Sequence, residues 1–288
     1  MVGVLPHLVG DDVAGSSFAS AIGAARLDHE AGQHSLVLLW GRSGLLGIHA
    51  VAQRLDALTD GVAGGLALRD VPLGERLVDP GADALRAADN QLKFRDAVGD
   101  RMDLMCELHS IWSLPAAIEI AAALKDQGIF WYEDPIKMVN AQALADYRRQ
   151  TGVRVCASET LATRYGFREL LERDAVDYVM IDLSWCGGLT ESKKIAAQAE
   201  TYQRPIAPHD CTGPVVLVAS LALALNAPNA IFQEVVRAYY TGWYTELVTV
   251  LPRIENGFAH LMTQPGLGTA LQPDLKKRSD VTVQRSSL

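Results

Sequence analysis

Several features are scarce in this sequence, and each scarcity removes a class of function. No run approaches the ~18 apolar residues of a membrane span, so no membrane association is expected. Positive charge is in deficit, with 26 Lys and Arg against 34 Asp and Glu and a formal net charge of −8. Nucleic-acid binding favours basic patches, so no nucleic-acid partner is expected. Residues 1–30 lack a basic start followed by an apolar run, so no targeting segment is read and a cytoplasmic location is expected. Cysteine is sparse too. Cys106, Cys156, Cys186 and Cys211 show no zinc-type spacing. They read as small reduced core residues.

What is present suits a soluble globular protein with a large core: 288 residues, 49% hydrophobic and 21% charged. One (β/α)₈ barrel takes about 250 residues, which leaves little for a second full domain.

Six short segments organise the chain. They are MDLMCELH, IFWYEDP, VRVCASE, YVMIDLSW, RPIAPHD and AIFQEVV, carrying Glu107, Glu133, Glu159, Asp182, His209 and Glu234. Subtracting residue numbers gives intervals of 26, 26, 23, 27 and 25. Each interval holds one strand, one helix and two short loops. Most segments are apolar, as strands buried on both faces are, with the polar residue at or near the C-terminal end. In a (β/α)₈ barrel those ends converge on one face, where the active site lies.

Between the segments, helices are expected over residues 84–100, 114–128, 143–152, 163–175, 188–203 and 213–227. The last is almost wholly apolar and should pack on both sides. A strand–helix repeat of this spacing implies parallel strands joined by right-handed crossovers. Counting back from Glu234 on the eighth strand makes the Glu107 strand the third. Strands one and two then precede Ala84, where periodicity is weak: HSLVLLWG (34–41) and LALRDV (66–71) could be strands, and 49–61 a short helix. A turn signal stands at Val78–Gly81. Residues 1–83 therefore read as a cap remnant plus the first strands, 84–255 as the barrel core carrying the active site, and 256–288 as a C-terminal tail. A further helical stretch is expected at 245–254.

Glu107, Glu133 and Glu159 end three consecutive segments, so their carboxylates should converge. Three carboxylates held together repel unless a cation joins them. All-oxygen ligation selects a hard ion such as Mg²⁺. Asp182 and His209 end neighbouring strands. A carboxylate beside an imidazole fixes the tautomer and raises its basicity, which makes a general base. Glu234 could donate to a developing oxyanion or hydrogen-bond a substrate. His109 lies two residues beyond Glu107, so its side chain should share that face of the strand. It is a candidate proton donor to a leaving group.

ELHSIW (107–112), WYEDP (131–135), ASET (157–160), MIDLSWCGGLTE (180–191), APHDCTGP (207–214), FQE (232–234) and ENGFAH…PGLG (255–268) resemble the enolase superfamily, within it the mandelate racemase-like subgroup. The resemblance implies Mg²⁺-assisted abstraction of the proton α to a carboxylate. Glu107, Glu133 and Glu159 match the family's metal ligands, Asp182 with His209 its His–Asp dyad, and Glu234 its enediolate-stabilising acid. His109 is similar to a histidine that, in acid-sugar dehydratases, protonates the departing hydroxide. A small sugar acid is the implied substrate and a homo-oligomer the implied assembly. Dehydration to a 2-keto-3-deoxy acid is the leading expectation. A racemase or epimerase with the same metal site, and a barrel that binds without turnover, stand behind it.

Three departures from the family stand out. The capping domain that members carry cannot be matched in residues 1–83. Lys93, inside an expected helix, is the sole lysine before Glu107, which disfavours a Lys/His two-base racemase. The first ligand position holds glutamate where aspartate is more usual.

Overall fold

The computed structural model describes residues 2–7 and 36–41 as backbone, residues 88 and 92, and residues 94–284 except 256. The helix read at 49–61, the strand at 66–71 and the turn signal at 78–81 lie outside the described residues.

Five strands run parallel in sequence order: β3 (Met102–Glu107), β4 (Ile129–Glu133), β5 (Val155–Ala157), β6 (Tyr178–Ile181) and β7 (Ile206–Pro208). Each pair is joined through a helix, as the spacing predicted. These are α1 (Leu114–Ala123), α2 (Ala141–Thr151), α3 (Thr163–Glu172), and a short α4 (Leu183–Cys186) with α5 (Leu189–Thr201). After β7, α6 (Pro214–Asn226) leads to β8 (Phe232–Val236). The crossovers begin and end on local signals. Ser113 Oγ accepts the Ala116 N–H at the start of α1, and Asn140 Oδ1 accepts the Gln142 and Ala143 N–H groups at the start of α2. Gly152 closes α2 at φ +67°, a conformation costly for a residue with a Cβ.

Two earlier strands extend the described sheets, one beside β8 and one beside β3. β2 (Leu36–Gly41) falls inside the stretch expected to form a strand, whereas β1 (Val2–His7) was not foreseen. β1 runs parallel to β8, from Gly3 opposite Phe232 to His7 opposite Val236. β2 overturns one expectation, because it pairs antiparallel to β3, Leu36 opposite Glu107 and Gly41 opposite Met102. An apolar run such as LVLLWG satisfies either ladder, so its direction is set by the connection and not by composition. A short hairpin, β9 (Ile254–Glu255) and β10 (Phe258–Ala259), adds to the free side of β1. The architecture is α/β and barrel-like, and among the described residues the strands do not form the uniformly parallel ring that was expected.

Alternation along the strands separates two apolar layers. Cys106, Tyr132, Val155, Ala157, Val179, Ile181 and Ile206 pack with the surrounding helices. Their neighbours Met105, Trp131, Cys156, Met180 and Ala207 form a separate buried cluster within the curl. α6 packs on two sides as expected: Leu223 joins the helix layer, while Leu217 and Leu221 join Val235, Tyr244 and Ala259. Past β8 come α7 (Arg237–Thr241) and α8 (Tyr244–Leu247). The helix expected at 245–254 ends at Leu247, since Thr249 N–H donates to Ala270 O and Pro252 cannot donate within a helix. Among the described residues no helix is long and apolar enough to cross a membrane.

Candidate active site

Two residues along each strand from that inner cluster, the side chains turn polar. Met105 is followed at that spacing by Glu107, Trp131 by Glu133, Met180 by Asp182, and Ala207 by His209. Period-2 geometry therefore stacks a charged layer directly on an apolar one. Glu107 and Glu133 are the last residues of β3 and β4, Asp182 and His209 stand one residue past β6 and β7, and Glu159 stands two past β5. Glu234 is the middle residue of β8.

Glu107, Glu133 and Glu159 do converge: each offers one oxygen, and these atoms lie within 4.8 Å of one another. Glu107 and Glu133 are 2% and 1% exposed. Burial pushes both carboxyls well above the usual range, and neighbouring carboxylates push further, Glu159 on Glu107 and Glu107 on Glu133. The Trp131 indole N–H donates to Glu133 Oε2 at 2.9 Å and fixes that oxygen from below. The backbone N–H of His109 donates to Glu107 Oε1. Two buried carboxyls and a half-buried third, gathered about one point, fit a hard divalent cation.

His209 is held from two directions. Its Nδ1 lies 2.8 Å from Asp182 Oδ2, and its Nε2 lies 2.8 Å from Glu159 Oε2 and 3.7 Å from Glu234 Oε2. Asp182 also accepts the Ser184 N–H and hydroxyl, the Trp185 N–H and the Thr212 hydroxyl. Burial opposes its ionisation, but the His209 ring and the Ser184 donors outweigh that and hold its pKa below the usual range. Burial alone would lower the His209 pKa. The charges of Glu234 and Glu159 and the bond to Asp182 reverse the sign and raise it well above the ordinary value.

His109 reaches the site by a different route than its spacing suggested. β3 stops at Glu107, and His109 and Ser110 adopt φ of +53° and +56°. Strand alternation therefore does not apply to it, yet the turn brings His109 Nδ1 to 3.6 Å from Glu107 Oε1. Cys211, expected in the core, is exposed beside His209, whereas Cys106, Cys156 and Cys186 are buried.

Two buried carboxyls went unread in the sequence. Asp134 accepts the Ser158 hydroxyl at 3.1 Å, and its carbonyl accepts the Ser110 N–H at 2.7 Å. It thereby ties the turn after β3 to the loop after β5. Asp210, fully buried, accepts the Tyr244 hydroxyl and the Val236 N–H. Burial pushes its carboxyl up to about 7.

These shifts fix a stability profile. A carboxyl whose folded pKa is raised stabilises the fold fully below its unfolded value, near pH 4, and that stability is lost as pH rises through the folded value. Glu107, Glu133, Glu234 and Asp210 all behave this way, and His209 loses its contribution in the same direction. Asp177 and Asp182 have depressed values, so their contribution is present above about pH 4 and does not oppose the trend. The metal-free protein is expected to melt at a lower temperature at about pH 8 than at about pH 5.5. Millimolar Mg²⁺ should recover most of the difference at the higher pH. Calorimetry across that window checks both, and a metal-free melting temperature that rises with pH would contradict the assignment.

Comparison with known proteins agrees with this geometry. Residues 78–275 match the family described as enolase C-terminal domain-like. D-xylonate dehydratase of Haloferax volcanii is 34% identical over 179 residues, 62% of this chain and 43% of that protein. D-galactonate dehydratase of Variovorax paradoxus is 31% identical over 185 residues, 62% of this chain and 48% of that protein. Among solved structures, an enolase protein from Sargasso Sea environmental sequence is 54% identical with a TM-score of 0.66, covering 69% of this chain and 54% of the other. A mandelate racemase subgroup enolase from Agrobacterium tumefaciens is 50% identical with a TM-score of 0.63, covering 68% and 53%. The chain thus spans about half the length of the relatives it matches. With its carboxylate trio and His–Asp pair at the strand ends and the family's model matched across most of its length, the chain belongs to the enolase superfamily, in the mandelate racemase/muconate lactonizing-like branch.

Proposed function

We propose that this protein dehydrates a sugar acid, an aldonate or aldarate, to the 2-keto-3-deoxy acid, with Mg²⁺ as cofactor. The observation that carries the reading is the His209 ring, held at Nδ1 by Asp182 and placed at Nε2 beside the carboxylate cluster. The dehydratase names of the D-xylonate and D-galactonate relatives support it.

Glu107, Glu133 and Glu159 would hold the cation. Bound there, Mg²⁺ supplies positive charge to the substrate carboxylate and so makes its α-proton acidic enough to remove. With Glu159 serving the cation in place of the ring, the neutral His209 Nε2 would take that proton, and Asp182 would stabilise the resulting imidazolium and keep Nδ1–H oriented. The electron pair released from the C–H bond moves toward the carboxylate as an enediolate. Glu234, whose carboxyl pKa burial pushes well above the usual range, would donate a hydrogen bond to the developing oxyanion when protonated. The pair then returns to expel the hydroxyl on the next carbon. His109 protonates that hydroxyl as it leaves, and the enol product tautomerises to the keto acid.

The test is a panel of aldonates and aldarates incubated in D₂O with Mg²⁺, followed for 2-keto-3-deoxy product and for α-deuterium. Product from at least one acid is expected. Exchange with inversion and no product would point to the racemase reading. Neither would leave a binding barrel. His109→Asn refines the assignment: product formation should fall about 10²–10⁴-fold while α-proton exchange persists. Parallel loss of both would refute the division of labour between the histidines.

A further inference from the structure

The strands bearing His209 and Glu234 are joined at their lower ends by backbone and at their upper ends by side chains. Ile206 N–H donates to Asn229 O and Ile231 N–H to Ile206 O. The next donor in such a ladder would be residue 208, which is proline and has no N–H to give. Above that break Gln233 Nε2 donates to Pro208 O at 3.3 Å. Asp210 then makes three links across the same gap. Its Oδ2 accepts the Val236 N–H at 3.1 Å, its Oδ1 accepts the Tyr244 hydroxyl at 2.9 Å, and its own N–H donates to Glu234 Oε2 at 2.8 Å. Gln233, Asp210, Glu234 and Tyr244 are all 0–1% exposed, so water does not compete for these bonds.

We propose that Asp210, anchored by Tyr244, is a positioning residue that fixes the Glu234 carboxyl opposite the His209 ring. The backbone alone cannot do this, because Pro208 ends the ladder one residue before His209. Both Asp210 oxygens are committed to donors on β8 or beyond it, and its N–H fixes the Glu234 oxygen that stands 3.7 Å from His209 Nε2. Tyr244 lies in the buried cluster of Leu217, Leu221, Val235 and Ala259, with the Trp243 ring edge-on at 4.6 Å, and so roots the clasp in packed structure. What the positioned pair does rests on the reading above; the clasp itself does not.

Tyr244→Phe keeps the ring and removes only the donor, and Asp210→Asn turns an amide N–H₂ toward one of two donors. In both variants the amide protons of Asp210 and Val236 should exchange at least about tenfold faster, with β3–β6 amides unchanged. Tyr240→Phe is the control, since that hydroxyl donates to Pro252 O away from the site, and it should leave these amides as they are. The kcat for α-proton exchange should fall about tenfold to a hundredfold in Tyr244→Phe, with KM and Mg²⁺ affinity unchanged. Unchanged Asp210 and Val236 amides would overturn the clasp. Loosened amides with an unchanged kcat would overturn its positioning role. If Asp210→Asn does not fold, Tyr244→Phe decides alone. If the parent protein turns over no sugar acid, the dehydratase reading fails, and the amide measurement still upholds or overturns the clasp.

Discussion

Glu159→Gln is expected to abolish turnover and to weaken Mg²⁺ binding more than about 100-fold. Groups that merely orient a metal ligand already account for about 10–100-fold of affinity, so loss of a ligand should exceed that. Glu159 is the informative member of the trio because two roles compete for it. Its Oε2 lies 2.8 Å from His209 Nε2, while the same side chain offers an oxygen to the cluster with Glu107 and Glu133. Burial opposes its ionisation, yet the imidazole beside it wins and lowers its pKa, so it is the trio's most readily charged member. If it serves the cation, the glutamine variant keeps the shape and loses one of three charges. Should it serve only as a partner for His209, the variant would bind Mg²⁺ as tightly as the parent. Titration calorimetry with Mg²⁺ alone separates the two, and equal affinity would remove Glu159 from the ligand set.

His209→Asn is expected to lower α-proton exchange and dehydration together by about 10²–10⁴-fold while Mg²⁺ still binds. The ring is 4% exposed and is fixed at Nδ1 by an aspartate that accepts four other hydrogen bonds. Such a ring cannot rotate out of the way, so another base would have to reach the same proton past it. A variant retaining parental exchange would place the base elsewhere, in residues 1–83 or on the opposite rim. Retained exchange with lost elimination would make His209 the acid and not the base.

The site was legible because its residues break a rule in a regular way. An apolar strand that ends in a charge is conspicuous, and the even spacing of six such ends betrayed the common rim. Glycine or proline bounded α1, α2, α5 and α6, and these crossovers were visible along with α3. β1 was not, for physical reasons. VGVLPH contains a glycine and a proline, and its partner Phe232–Val236 lies more than two hundred residues away, so no local pattern records the pairing. The direction of β2 was equally hidden, since apolar composition does not distinguish parallel from antiparallel. Asp134 and Asp210 passed unnoticed because each sits beside a residue with an obvious role and looks like loop polarity. Only partners such as Ser158 and Tyr244, 24 and 34 residues off, reveal that both are buried. His109 was found for an incomplete reason: a turn, and not strand alternation, puts it at the rim.

The apolar layer beneath the charges has a consequence for traffic. Met105, Trp131, Cys156, Met180 and Ala207 are each 0–1% exposed, and the one indole N–H among them is spent on Glu133. Nothing hydrated passes between such side chains, so among the described residues the site is closed on that side. On the proposed dehydration, cation, acid and expelled water would all come and go on the opposite side. An acid seated across the trio would then cover the cation, which would make the cation first to enter and last to leave. Exchange of the bound ion with bulk should therefore slow as the acid approaches saturation.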